Sequence, residues 1–156
     1  LTGEVLGSCG TVRIGNNVFV GQKSLILKGA EIGDNTIIGA GSVVTGRLDG
    51  NAVYAGAPAK KISSLEAYID KRRKLQLNEA VLLVREYEQT YGKRPPKKLL
   101  REFFWLFEPR NTQLDEVFQK VFQLDNNTER SQQAFVQSEP MFSSYEAFLK
   151  YVESNS

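Results

Sequence analysis

Histidine is absent from this chain. With it goes the side chain that most often moves protons near neutral pH and most often binds a transition metal. One cysteine, Cys9, excludes a disulfide framework and offers no thiolate cluster. As a nucleophile it would have no imidazole to activate it. Charge of one sign is missing too: 20 Lys and Arg stand against 18 Asp and Glu, a formal net charge of +2. No global field therefore marks a nucleic-acid binder. No apolar run approaches the ~18 residues of a membrane-spanning helix, and no secretory signal is visible. The expectation is a cytoplasmic protein without a metal and without a nucleic-acid partner.

What is present is a beat of six. Ile14, Val20, Ile26, Ile32, Ile38 and Val44 recur at that interval, and a small or β-branched residue precedes each by two: Val12, Val18, Ser24, Ala30, Thr36, Ser42. A helix repeats its buried face every ~3.6 residues and a strand every 2, so neither template sustains a period of six. A parallel β-helix does, with each hexapeptide forming one flat side of a triangular coil. Gly15, Gly21, Gly33 and Gly39 follow the aliphatics, and Asn16, Asn17, Asp34 and Asn35 stand near corners. Gly and Asn tolerate the left-handed backbone that a tight corner needs. Phe19, Leu25, Ile37 and Val43 each precede an inward aliphatic and so point outward. An outward apolar row marks an interface, and three prisms about an axis would bury it.

The run IGNNVFVGQKSLILKGAEIGDNTIIGAGSVVTGRLDGNAVYAGAPAKKI, residues 14–62, resembles the left-handed β-helix (hexapeptide-repeat, isoleucine-patch) acyltransferases. IGAGSVVT followed by AGAPAK carries the likeness most specifically, and within the family it is most similar to the sugar and polysaccharide O-acetyltransferases. The resemblance implies a left-handed parallel β-helix over 1–62 and a homotrimer that binds acetyl-CoA in the groove between prisms. It implies transfer to a hydroxyl of a sugar or cell-surface polysaccharide precursor. By motif position, the cofactor-binding residues it implies are Gly21, Gln22, Gly39, Ala40, Gly41, Thr45, Lys60 and Lys61. Phe19 stands where the family places an aromatic at the subunit groove. The base of the family is a histidine upstream of the IGNNVF-type hexad, and this chain offers none to match it, so no catalytic residue is carried over. Glu4, Glu31 and Asp34 are carboxylates, read here as solvated corner or face residues. A metal-dependent version of the same fold would need histidines. The repeat holds about seven hexads, few for a coil that buries its core only by stacking, and position 1 is Leu rather than Met. The chain is expected to be the carboxy-terminal portion of a longer protein. The alternative function is a non-catalytic trimeric scaffold whose second half binds a partner.

Composition changes near residue 62, and the expectation for 63–156 is a small all-helical domain. Ser63-Ser64-Leu65-Glu66 reads as a capping box, with Gly92 and Pro95-Pro96 as stops. Lys97 to Phe107 reads as a short aromatic-rich helix with its aromatics in a core. Leu114 to Leu124 reads as another, with Val117, Phe118, Val121 and Phe122 inward. Residues 125–140 read as a polar loop, and Ser143 to Glu146 opens a last helix with Phe148, Leu149 and Val152 on one face. Two basic clusters, Lys71 to Lys74 and Lys93 to Arg101, read as solvated faces. Their functional alternative is attraction of coenzyme phosphates or of an anionic glycan at a membrane surface.

Overall fold

A computed structural model describes residues 3–110, 113–124 and 128–155. The chain divides into two compact units, 1–74 and 75–156.

In the first unit the six-beat becomes geometry. Short strands β1 (Arg13–Ile14), β2 (Phe19–Val20), β3 (Leu25–Ile26), β4 (Glu31–Ile32), β5 (Thr36–Ile38), β6 (Val43–Val44), β7 (Arg47–Leu48) and β8 (Ala52–Ala55) each form one side of a coil. Each pairs in parallel with the strand three places on, giving the ladders β1-β4-β7, β2-β5-β8 and β3-β6. Arg13 therefore lies opposite Glu31, Phe19 opposite Ile37, and Leu25 opposite Val43. The inward residues stack ladder by ladder into one core: Ile32, Ile38, Val44, Leu48 and Tyr54 are buried, with Ala30 and Ala52 beside them. The same positions in the first coil are open, Ile14 at 52% and Val20 at 41% exposure. Thr36 and Ser42 are buried too, and their hydroxyls donate to the carbonyls of Gly33 (2.7 Å) and Gly39 (2.6 Å). That satisfies groups whose burial would otherwise cost about 1–3 kcal/mol each.

The beat does not stop at Val44. Leu48 takes the next inward place after four residues rather than six, and Tyr54 takes the one after that. The side leaving β6 is two residues short, so the register between coils falls from 18 residues to 16. Past β8 the chain turns through a cis Ala57–Pro58 peptide. β9 (Lys60–Ser64) then runs antiparallel to β8 with a bulge, covering the edge of that sheet.

Helix α1 (Leu65–Tyr91) follows, and its length carries it across the division between the units. Its start is capped by Ser64, whose hydroxyl accepts from Ala67 N–H at 3.2 Å, rather than by Ser63. Its end is Gly92, at φ +64°, whose N–H donates to Glu88 O at 2.8 Å. In the second unit a 3₁₀ stretch over Lys97–Leu106 breaks at Leu100. α2 (Glu116–Phe122), α3 (Thr128–Gln137) and α4 (Tyr145–Ser154) complete it. The aromatic run is core as expected. Phe104 sits among Phe118, Phe122, Phe135 and Trp105, with ring centroids 5.1–5.4 Å apart. Phe107, Phe148, Leu149 and Val152 are buried beside them.

Further expectations are revised. Most of the polar loop of 125–140 is helix α3, held to the core by a single buried anchor, Phe135; residues 125–127 lie outside the described residues. The last helix is capped by Ser144, not Ser143, through Ala147 N–H at 3.1 Å. The second basic cluster is exposed, as expected of a solvated face, but its charges are paired. Lys97 pairs with the buried Glu108 (2.7 Å), Lys98 with Asp115 (3.1 Å), Arg101 with Glu102 (3.2 Å), and Arg94 with Glu146 and Glu153. Apart from Lys97 with Glu108, these pairs are on the surface, where each is worth little.

Candidate functional site

The candidate residues named from the sequence converge on one corner of the coil, between the β2-β5-β8 side and the β3-β6 side. Gly21 in the first coil donates to Ile38 O (2.8 Å), and Gly39 in the second donates to Tyr54 O (2.8 Å). Gly41 N–H donates to Gln22 O at 2.9 Å, so Gln22 lies directly over Ala40 and Gly41. Five of the eight candidates thus stack at one corner, where Gln22, Ala40 and Gly41 are exposed, Gly39 is half-buried and Gly21 is buried. Ser42 pins the corner: its hydroxyl donates to Gly39 O and accepts from Gly56 N–H at 3.2 Å, while Ser24 donates to the same Gly39 carbonyl at 3.0 Å.

The three glycines are there for different reasons. A Cβ on Gly21 would stand 2.4 Å from Ala40 N, so the close approach of successive coils demands glycine. A Cβ on Gly39 would stand 3.1 Å from that of Ala55, a tight but softer contact. Gly41 has φ +69° and nothing within 4 Å of where a Cβ would be. Only there does the missing side chain open onto free space.

Lys60 joins this corner through the β8-β9 pairing, which sets it opposite Ala55, the residue under Gly39. Lys61 lies opposite Tyr54 and alternates to the other face of β9. Thr45 is not brought here. It follows β6 at the far end of that side, ~13 Å along the strand from Gly41 at about 3.3 Å per residue, and is exposed.

The sides flanking the corner are apolar. Phe19 (63% exposed) and Leu25 (58%) project from the first coil. The half-buried Ile37 and Val43 lie below them in register. The third side is charged instead: Arg13, Glu31 and Arg47 stand in one ladder. A groove of ≈ 400 Å³ along it is lined by those residues with Asp34 and Asp49. Its charges answer one another, Arg13 to Glu31 at 2.9 Å and Arg47 to Asp49 at 3.4 Å.

The possible substitute bases are committed elsewhere. Glu31 is held by Arg13, and Asp34 accepts Asn16 N–H at 2.6 Å as part of the coil-to-coil bonding. Glu4 and Cys9 are exposed. Among the described residues no group of three or more His, Cys, Asp or Glu could hold a metal ion, and no helix is long and apolar enough to cross a membrane. Sequence reasoning missed Ser24, Ser42 and Lys23 at this corner. The first two carry a signal in the beat itself, as polar residues at small inward positions. Lys23 is exposed, and stacking places it over Gly41.

Residues 11–46 match the bacterial transferase hexapeptide family (six repeats). Galactoside O-acetyltransferase of Escherichia coli (strain K12) is 46% identical over 54 residues, 35% of this chain and 27% of that protein. Protein CapG of Staphylococcus aureus is 45% identical over 73 residues, 42% of each chain. A solved galactoside acetyltransferase in complex with coenzyme A is 46% identical over 35% of this chain and 27% of its own, with a TM-score of 0.34. The chain spans about a quarter of the galactoside enzyme and less than half of CapG. Within that span residues 11–46 match the hexapeptide-repeat transferases, and the relatives of this stretch include acetyltransferases.

Proposed function

We propose that this chain is part of an acetyl-CoA-dependent O-acetyltransferase of a sugar or cell-surface polysaccharide precursor. In this reading 1–62 is a left-handed parallel β-helix and 63–156 a helical domain, and three copies associate through the apolar sides. The donor's pantetheine arm lies along the corner column, against Gly21, Gln22, Gly39, Ala40 and Gly41. Thr45 borders its adenosine end, and Lys60 with Lys61 meets its phosphates. The acceptor hydroxyl attacks the thioester carbonyl, a base takes the hydroxyl proton, and the coenzyme leaves as its thiol. This chain supplies no histidine for that base, so the base is assigned to a segment outside these 156 residues. The reading places the protein in the cytoplasm, where the thioester donor is made.

The observation that carries the reading is the corner itself. A column of four small residues and Gln22, open at Gly41, runs between two apolar sides, and a lysine stands on β9 beyond its lower end. Small residues let an extended ligand reach main-chain groups, and the flanking Phe19 and Leu25 would close over it from neighbouring copies.

The test is calorimetric titration of the chain with coenzyme A, beside its mass in solution by light scattering. Saturable binding by a trimer is expected. Absence of heat across temperatures would remove the cofactor assignment, and a stable monomer would remove the shared groove. The absence of histidine favours a second reading, a trimeric scaffold with no donor. That reading predicts the trimer without the heat.

A further inference from the structure

The formal charge of +2 is not spread evenly along the chain. Residues 1–59 hold four basic and four acidic side chains, and residues 75–156 hold 10 basic against 12 acidic. The stretch between them, 60–74, holds six basic and two acidic, a net +4 and so twice the charge of the whole chain. It comprises β9 and the start of α1, all within the first unit. Every residue in it is exposed except Ser63, Leu65 and Tyr68, which are half-buried. In the helical unit Arg94, Lys97, Lys98 and Arg101 each face a carboxylate. Among the described residues Lys60, Lys61, Lys71 and Lys74 make no ion pair, and Arg73 meets Asp70 of its own helix at 3.2 Å.

Two aliphatic side chains stand uncovered in the same stretch. Ile62, at the bulge of β9, is 63% exposed, and Ile69, on the second turn of α1, is 39% exposed. Arg72 and Arg73 follow Ile69 by three and four residues and share its face of the helix, while Lys71 and Lys74 lie round the other side. This turn is therefore basic on every face, a collar around the helix, with two long arginine stems beside Ile69. A soluble polyanion would use the charge and gain nothing from the isoleucines. A bilayer with anionic headgroups uses both, the charge by attraction and the aliphatics by shallow burial at the acyl boundary. We propose that Ile62, Ile69 and the collar from Lys71 to Lys74 dock this protein on an anionic lipid surface. A helix is about as thick as the Debye length, ~8–10 Å at ordinary salt, so even the far lysines feel a surface that Ile69 touches. Lys60 and Lys61 stay with the donor phosphates, so the docking does not depend on the donor site.

The experiment is co-sedimentation of the full chain with vesicles of phosphatidylcholine alone and of phosphatidylcholine with about one-third phosphatidylserine. Binding is expected to the second kind only, and it should weaken as salt rises. Lys71→Gln with Lys74→Gln removes two exposed charges and should melt with the parent. It is expected to bind the anionic vesicles at least about 5-fold more weakly, since one surface charge is worth about that factor and these two are partly screened across the helix. Lys28→Gln with Lys93→Gln removes equal charge elsewhere and is expected to change binding less than about twofold. Ile62→Ser with Ile69→Ser keeps every charge. It is expected to weaken vesicle binding at least about 5-fold while leaving the affinity for heparin, a soluble polyanion, unchanged. No preference of the parent for anionic vesicles overturns the proposal. An equal loss in the Lys28 and Lys93 pair also overturns it, since overall charge would then explain the binding. Vesicle binding at parental strength in the lysine pair overturns the collar, and in the isoleucine pair it overturns the bilayer in favour of a soluble polyanion that reads charge alone. Coenzyme A binding should be the same in all these variants, so a failed donor site and a failed docking surface are read separately.

Discussion

Asn35 tests the coil at its middle corner. Its side chain accepts from Asn17 Nδ2 at 3.1 Å and donates to Asn51 Oδ1 at 3.1 Å, linking three successive coils. Its backbone sits at φ +55°. Two effects can be separated by two substitutions. Asn35→Gly removes both side-chain bonds and keeps the left-handed backbone comfortable. Asn35→Ala removes the same bonds and adds a Cβ at positive φ. The two bonds are solvent-facing, so each contributes about 0.5 kcal/mol, the low end for an amide pair. A left-handed Ala adds about 1 kcal/mol. The expected losses are therefore ~1 kcal/mol for Gly and ~2 kcal/mol for Ala. Hydrogen exchange reads them directly at the amides of Gly21, Gly39 and Asn51, which bond from coil to coil. Opening free energies there should fall by those amounts in that order. Equal losses for Gly and Ala would refute the left-handed corner. No loss for Gly would mean that the Asn ladder contributes nothing to the stack.

The period of six makes most of the coil legible in the sequence, because inward and outward places follow from counting. It failed where counting failed. The side after Val44 is two residues short, so Leu48 and Tyr54 fall off the arithmetic although both are buried. Asn at a corner announces a left-handed turn, and Lys23 at an equivalent corner does not. In the helical unit the aromatic positions foretold the core, since Phe104, Phe107, Phe118 and Phe148 are all fully buried. Helix α3 was illegible because TERSQQAFVQ buries one residue, Phe135, and a single anchor leaves no period to detect. The fate of the second basic cluster was illegible for another reason. Lys98 meets Asp115 and Arg94 meets Glu146 across long stretches of chain, and pairing of that kind appears only once the fold sets the partners side by side.

Tyr145 makes the helical unit sensitive to alkali. Burial, helped by the Glu146 and Glu88 carboxylates, pushes its phenol up to about 12. A phenol raised in the folded state stays protonated while the unfolded one ionises, so stability should fall from about pH 10 to about pH 12. Tyr145→Phe should flatten that fall while losing the bond to Pro95 O (2.8 Å), which urea midpoints measured across pH would show. Phe104→Ala should cost about 3–5 kcal/mol, because four rings surround it; Trp105 fluorescence in urea reads the shift, and a loss under 1 kcal/mol would contradict the packing. The corner column needs a substitution that blocks it without breaking it, and the glycines differ in this. Gly21→Ala drives a Cβ to 2.4 Å from Ala40 N, so lost binding there would only report a damaged coil. Gly41→Asn keeps a residue suited to φ +69° and sends its side chain into open space. Its melting temperature should stay within a few degrees of the parent's while coenzyme A binding falls at least tenfold. Binding at parental strength in a folded Gly41→Asn would move the donor off this corner, and Gln22, Ala40 and Lys60 would then be plain surface.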